Sequence, residues 1–112
     1  MSTNRLALAI RDLYAVSEGH TLVITKRHVP DFFELCPAER NTIHDLLLRE
    51  REVIQQSDAH VAGFNVGVNA GAMAGQTVFH VHVRLIPRRA GDVADPRGGV
   101  RNLLPGHHPR VH

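Results

Sequence analysis

His80, Val81, His82, Val83 and Arg84 form a row in which imidazoles and a guanidinium alternate with valine. Successive side chains on a strand point to opposite faces. His80, His82 and Arg84 therefore line one face, and Phe79, Val81, Val83 and Leu85 the other. One face is apolar enough to pack on a core. The other carries two groups that titrate near neutral pH and one permanent cation. Three chemistries fit two imidazoles on one strand face: metal ligation, an acid–base pair, or a nucleophile steered by its neighbour. The plain competitor is a solvated edge strand with its polar residues turned outward. The flanks favour a site. Gly71, Gly75 and Gln76 precede the strand as a small-residue loop, Pro87 is expected to stop it, and Arg88 and Arg89 add cations nearby.

The charge distribution points the same way. The 112 residues carry a net charge of only +2. Residues 1–83 hold nine acidic and seven basic side chains, whereas residues 84–112 hold six arginines and two aspartates. That asymmetry suits an anionic ligand near the C-terminal third. Nucleic acid is not favoured, because there is no long basic run and only one Tyr and four Phe are available for stacking.

The stretch Gly75-Gln76-Thr77-Val78, with His80, His82, Leu85 and Ile86, resembles the signature of the histidine triad (HIT) family of nucleotide hydrolases and transferases. The likeness extends back through Ala9-Ile10-Arg11-Asp12, Glu18 to Ile24 and Gly63 to Asn69, and so covers most of residues 5–89. Arg84 stands where the family pattern has its third histidine. The resemblance implies an enzyme that binds a purine nucleoside phosphate or a dinucleoside polyphosphate. It would cleave a phosphoanhydride or phosphoramidate at the α-phosphate through a nucleotidyl-histidine intermediate. By position, His82 is then the nucleophile, with His80 and His20 in support. Thr77 assists the leaving group, Asp12 holds the ribose hydroxyls, and Asn69 and Gln76 contact phosphate. A homodimer in which two sheets join is implied too, with no cofactor and no metal.

Chemistry agrees with several of these assignments. A neutral imidazole attacks phosphorus competently when its second nitrogen is held by an acceptor. A carboxylate can accept hydrogen bonds from two vicinal hydroxyls. Arg84 can grip phosphate through two donors but, always protonated, cannot exchange a proton during a catalytic step. The site is therefore expected to favour another leaving group, transfer over hydrolysis, or slow turnover. Two alternatives remain at this stage. One is a non-catalytic nucleotide-binding module that keeps Asp12, Asn69 and Arg84. The other is a metal-dependent enzyme ligated by His20, His80 and His82.

The surrounding elements predict an α+β domain: an antiparallel sheet of about four to five strands with one long helix on one face. Leu6 to Ile10 and His20 to Thr25 read as an antiparallel pair of strands. A single turn is expected over Asp31–Leu35. Pro37 suits the first position of a helix running to about Gln56, with Glu39 near the positive end of its dipole and Cys36 a weak cap. Ile43, Leu46, Leu47, Val53 and Ile54 give that helix its apolar stripe. His44 and His60 are expected at the surface. Gly63 to Asn69 reads as a strand with Phe64, Val66 and Val68 toward the core. Gly67 either allows close approach of a ligand or marks a bulge. The His80 strand is expected to close the sheet.

At 112 residues there is room for one domain, compact over about 5–89, with a loop and tail over 90–112 and a loose end at His107–His112. No apolar run is long enough to span a membrane, and no secretory leader pattern is present. A single cysteine, Cys36, excludes an internal disulfide and makes a reducing cytoplasm the default.

Overall fold

The computed structural model describes residues 2–100. The expectation for His107–His112 lies outside that range. Within it the chain forms β1 (Ser2–Thr3), β2 (Ala7–Arg11), β3 (Thr21–Thr25), α1 (Pro37–Ser57), β4 (Val61–Gly67) and β5 (His82–Arg89), with single helical turns at Phe32–Glu34 and Ala72–Ala74. The strands make one five-stranded sheet in the order β1-β2-β3-β5-β4, every pair antiparallel. The expected fold class holds.

Alternation sets the two faces. Ala7, Ala9, Val23, Val83 and Leu85 are buried beneath α1, which contributes Ile43, Leu46 and Ile54. Leu8, Ile10, Leu22, Ile24, His82, Arg84 and Ile86 are half-buried on the opposite face. Register locks this arrangement: Ile24 pairs with His82, Leu22 with Arg84, and Gly67 with Arg84 from the other side. A one-residue slip would put both polar side chains into the core, so the pattern specifies the register strongly.

Four sequence expectations change. β5 does not close the sheet; it lies between β3 and β4, and β4 forms the edge. The strand begins at His82, so Phe79 sits in a bend and stays 49% exposed rather than joining the core. Pro87 does not end the strand, which continues to Arg89. Proline is tolerated there because the β3 ladder has already finished at Thr21–Leu85, and Ser17 Oγ donates to the Pro87 carbonyl at 2.8 Å on that side. The irregularity in β4 falls between Val61 and Gly63, not at Gly67.

The helix stripe also differs. Val53 is 46% exposed, while Glu39 and Glu50 are buried. Residues 39, 43, 46, 50 and 54 form the buried line, so its periodicity is helical but two members are acidic. Each glutamate has an arginine. Arg27 donates to Glu39 through Nε at 3.0 Å and Nη2 at 2.7 Å, and Arg11 and Ser2 donate to Glu50. Glu39 also accepts from the backbone N–H of Cys36 at 3.1 Å, as in the reciprocal half of a capping box. These pairs tie the helix to β2 and to the segment after β3, the strand that faces the histidines.

Candidate active site

His82 opens β5, and its Nδ1 lies 3.0 Å from the His80 carbonyl oxygen. A carbonyl only accepts, so a neutral His82 carries its proton on Nδ1 and leaves the Nε2 lone pair uncommitted. His80 stands just before the strand, in the bend. Its Nε2 lies 2.7 Å from the Thr25 carbonyl oxygen at the end of β3, and its Nδ1 lies 3.4 Å from Nδ1 of His28. Nε2 of His80 is therefore the donor and Nδ1 the acceptor, which makes His28 the donor between the two rings. His80 meets His82 through its backbone carbonyl, while its ring anchors the bend. His28 was not expected. The backbone geometry that brings it to His80 leaves no mark in the spacing of residues.

His80 and His82 line a groove of about 330 Å³ with Leu22, Ile24 and Val78. By alternation, His20 and Asp12 continue the same face beyond Leu22 and Ile10, and Asp12 N–H donates to the His20 carbonyl at 2.9 Å. His20 is buried; its Nδ1 accepts from the Val16 N–H at 3.3 Å and its Nε2 lies 3.6 Å from Asp12 Oδ2. That distance is too long for a hydrogen bond, so Nε2 is a buried donor without a partner among the described residues. Burial pushes the His20 pKa down, Asp12 opposes this, and the positive charge of Arg84 adds to it. His20 is thereby held neutral and directed at Asp12. The two lie at the rim of a second hollow of about 570 Å³, with Glu18, Ser57, Asp58 and Arg89.

Four residues of β3 separate the level of His82 from that of His20, about 13 Å at the usual strand rise. Between them on this face lie Ile10, Leu22, Ile24 and Arg84. The structure thus brings His82 and His80 to one end of an apolar strip and Asp12 with His20 to the other, with Arg84 between the two levels. Asn69 follows β4 two residues beyond Gly67, half-buried and outside the strand. Thr77 is exposed in the loop and meets no partner among the described residues.

Gln76, expected to contact phosphate, has its amide engaged within the loop. Its Oε1 accepts from the Gly71 N–H at 2.8 Å, and its Nε2 donates to the carbonyls of Pro30 at 2.6 Å and Val78 at 3.1 Å. The amide is buried and consumed in shaping the loop. Gly71 and Gly75 both have φ of 92°, a region that suits glycine, so this loop depends on them.

An apolar cavity of about 300 Å³ lies on the opposite side, where Phe32, Leu35 and α1 meet Val66 and Val68. His44 and Arg40 lie among its lining residues. Among the described residues no three His, Cys, Asp or Glu side chains gather closely enough to hold a metal ion.

A single helix on a five-stranded antiparallel sheet, with a histidine-bearing strand inside that sheet, defines the class. The HIT domain model matches residues 1–91, and the chain belongs to that family. It is 36% identical over 91 residues to a bis(5′-nucleosyl)-tetraphosphatase (asymmetrical) of Schizosaccharomyces pombe, covering 81% of this chain and 50% of that protein. It is 34% identical over 90 residues to an adenylylsulfatase of Arabidopsis thaliana, covering 78% and 44%. A zinc-bound histidine triad family protein from Mycobacterium smegmatis superposes with a TM-score of 0.76 at 34% identity, over 86% of this chain and 69% of that one. The chain spans about half the length of the curated relatives it matches.

Proposed function

We propose that the protein is a nucleotide hydrolase or nucleotidyl transferase that cleaves a phosphoanhydride or phosphoramidate at the α-phosphate through a nucleotidyl-His82 intermediate. The observation that carries this reading is the His82 Nδ1 contact to the His80 carbonyl, which leaves Nε2 free on an open groove. Relatives that hydrolyse a dinucleoside tetraphosphate and adenylyl sulfate both act on nucleotides joined through phosphate, which supports the substrate class. In this reading a purine nucleoside phosphate lies along the strip, ribose toward Asp12 and phosphate toward His82. His80 and Gln76 position the machinery, and Asn69 and Thr77 donate to phosphate and leaving group.

Mass spectrometry of acid-sensitive nucleotidylated protein, after mixing with AMP phosphoramidates and dinucleoside polyphosphates, tests the assignment. Wild type is expected to carry AMP on His82, and His82→Ala to carry none. Tightly bound nucleotide with no labelled protein and no product would instead make this a binding module.

The homodimer belongs to the same proposal. β4 is an edge strand, its Val66 is 55% exposed, and the apolar cavity beside it offers a continuous surface for a second copy. No helix among the described residues is long and apolar enough to cross a membrane. The single, exposed Cys36 is consistent with a reducing cytoplasm.

A further inference from the structure

Ten arginines lie among the described residues, and five of them hold carboxylates: Arg11, Arg27, Arg88, Arg89 and Arg97. Arg40 donates to the Leu35 carbonyl. The other four make no side-chain hydrogen bond or ion pair among the described residues. Arg5, Arg49 and Arg51 of these four are exposed, where water serves the guanidinium. Arg84 alone is half-buried. A cation on a half-buried residue, with no carboxylate among the described residues to pair it, is available to an anionic ligand.

The surroundings say where that ligand sits. Arg84 follows His82 by two residues on the same face, about 6.6 Å along the strand. Its neighbours across the sheet are Leu22 and Gly67. A Cβ added at Gly67 would have no heavy atom within 4 Å, so the space beside Arg84 is open. Arg84 thus stands on the same sheet face as His82, one pleat repeat away, with open space over Gly67 beside it.

We propose that Arg84 holds a phosphate-type oxyanion as the acceptor, so that the nucleotidyl group on His82 passes to a phosphate oxygen in preference to water. This rests on the reading of His82 as nucleophile. In the intermediate the α-phosphorus is bonded to Nε2, and Nδ1 keeps its proton on the His80 carbonyl. Attack by a phosphate oxygen forms a P–O bond and breaks the P–Nε2 bond. The electron pair returns to Nε2, and the imidazole leaves neutral with its Nδ1 proton in place. No proton has to move. Attack by water forms the same bond but must shed a proton, and Arg84, always protonated, cannot take it. His80 is tied to Thr25 and His28, and His20 lies four residues away along β3. Arginine at this position thus disfavours hydrolysis and offers two donors to an oxyanion.

The experiment is a chase. The full chain is mixed with an adenylyl substrate labelled at the α-phosphate, and the labelled protein is transferred to buffer with or without inorganic phosphate. Label is expected to leave as ADP, at a rate that rises with phosphate concentration, and as AMP only slowly without it. A parallel chase with ATP separates a free phosphate from a nucleotide acceptor by yielding diadenosine tetraphosphate, and either product supports the proposal. Arg84→Gln should lower the phosphate-dependent rate about ten- to a hundredfold, the worth of one charged contact. Arg84→Lys should keep part of it, and Arg84→His should turn the product toward AMP. Labelled wild-type protein that releases only AMP, at a rate indifferent to phosphate and ATP, overturns the acceptor and leaves the His82 nucleophile standing. Failure to label the protein with any adenylyl substrate overturns both.

Discussion

Nε2 of His82 is clear of the protein because Nδ1 is already committed to the His80 carbonyl. His82→Ala removes the only proposed nucleophile, so single-turnover formation of product should vanish while nucleotide still binds. Full activity in that variant would end the covalent mechanism. Asp12 has a different task. Its Oδ1 accepts from the Tyr14 N–H at 2.9 Å, leaving Oδ2 between His20 and the hollow. Asp12→Ala should weaken nucleotide binding about ten- to a hundredfold, the worth of a charge-assisted hydrogen bond of roughly 1.5–3 kcal/mol. Equal binding of a 2′,3′-dideoxy nucleotide to wild type would take the ribose from it. The same variant should lower the His20 pKa further. Asp12 is the influence that raises it, while burial and Arg84 lower it. The His20 ring protons in an NMR pH titration report this, and an upward shift would contradict the arrangement.

Pro37 and the apolar spacing after it placed the start of α1 at the right residue and its end within one, because both signals are local. The faces of β5 were legible for the same reason: alternation alone puts His82 and Arg84 opposite Val83 and Leu85. What escaped was long-range. Burial of Glu39 and Glu50 depends on Arg27 and Arg11, 12 and 39 residues away, and periodicity cannot register a partner at that distance. Persistence of β5 through Pro87 depends on where β3 happens to stop. Gln76 reads as a ligand contact from its motif, and only the path of the Pro30 and Gly71 backbone reveals that its amide is spent.

These elements yield two predictions. The Arg27 hydrogen bond first, with the Cys36 N–H assisting against burial, holds the Glu39 carboxyl down to about 2. A carboxyl depressed when folded contributes stability that is present above its unfolded value, near 4.5, and lost as pH falls toward 2. Glu39→Gln should therefore unfold earlier at neutral pH, by about 1.5–3 kcal/mol for a charged contact. The gap to wild type should close through that acid window in urea titrations. A gap that stays constant with pH would show that the pair is not what stabilises the helix start. Gln76→Ala would leave the Gly71 N–H and the carbonyls of Pro30 and Val78 short of a partner. The expected cost is about 1–3 kcal/mol per buried group that water cannot reach. If Gln76 only positions the loop, the apparent melting temperature should fall and kcat should drop more than nucleotide affinity. Loss of affinity with unchanged stability would return Gln76 to a direct phosphate role.

The whole molecule presents two dissimilar surfaces. One is the polar-ended strip with His82 and Asp12. The other runs from the β4 edge over Val66 to the apolar cavity beside α1. An edge strand with an exposed valine and no charge pointing inward is a template for another strand. If two copies join there, the pairing must be self-complementary, each β4 meeting the same element of the other. A charge placed in that surface then meets itself. Val66→Glu should convert the protein from dimer to monomer in light scattering coupled to size exclusion, because like charges brought together across paired strands repel. The substitution should leave the monomer folded, since Val66 is already half in water. A stable specific interface would bury about 1,200–2,000 Å², so dissociation should also speed hydrogen exchange at β4 selectively and spare β2 and β3. A wild type that is monomeric at every concentration, or a Val66→Glu variant that stays dimeric, would remove β4 as the joining edge. The chemistry on the other face would remain testable in the monomer, because His82, His80, Arg84 and Asp12 all belong to one chain.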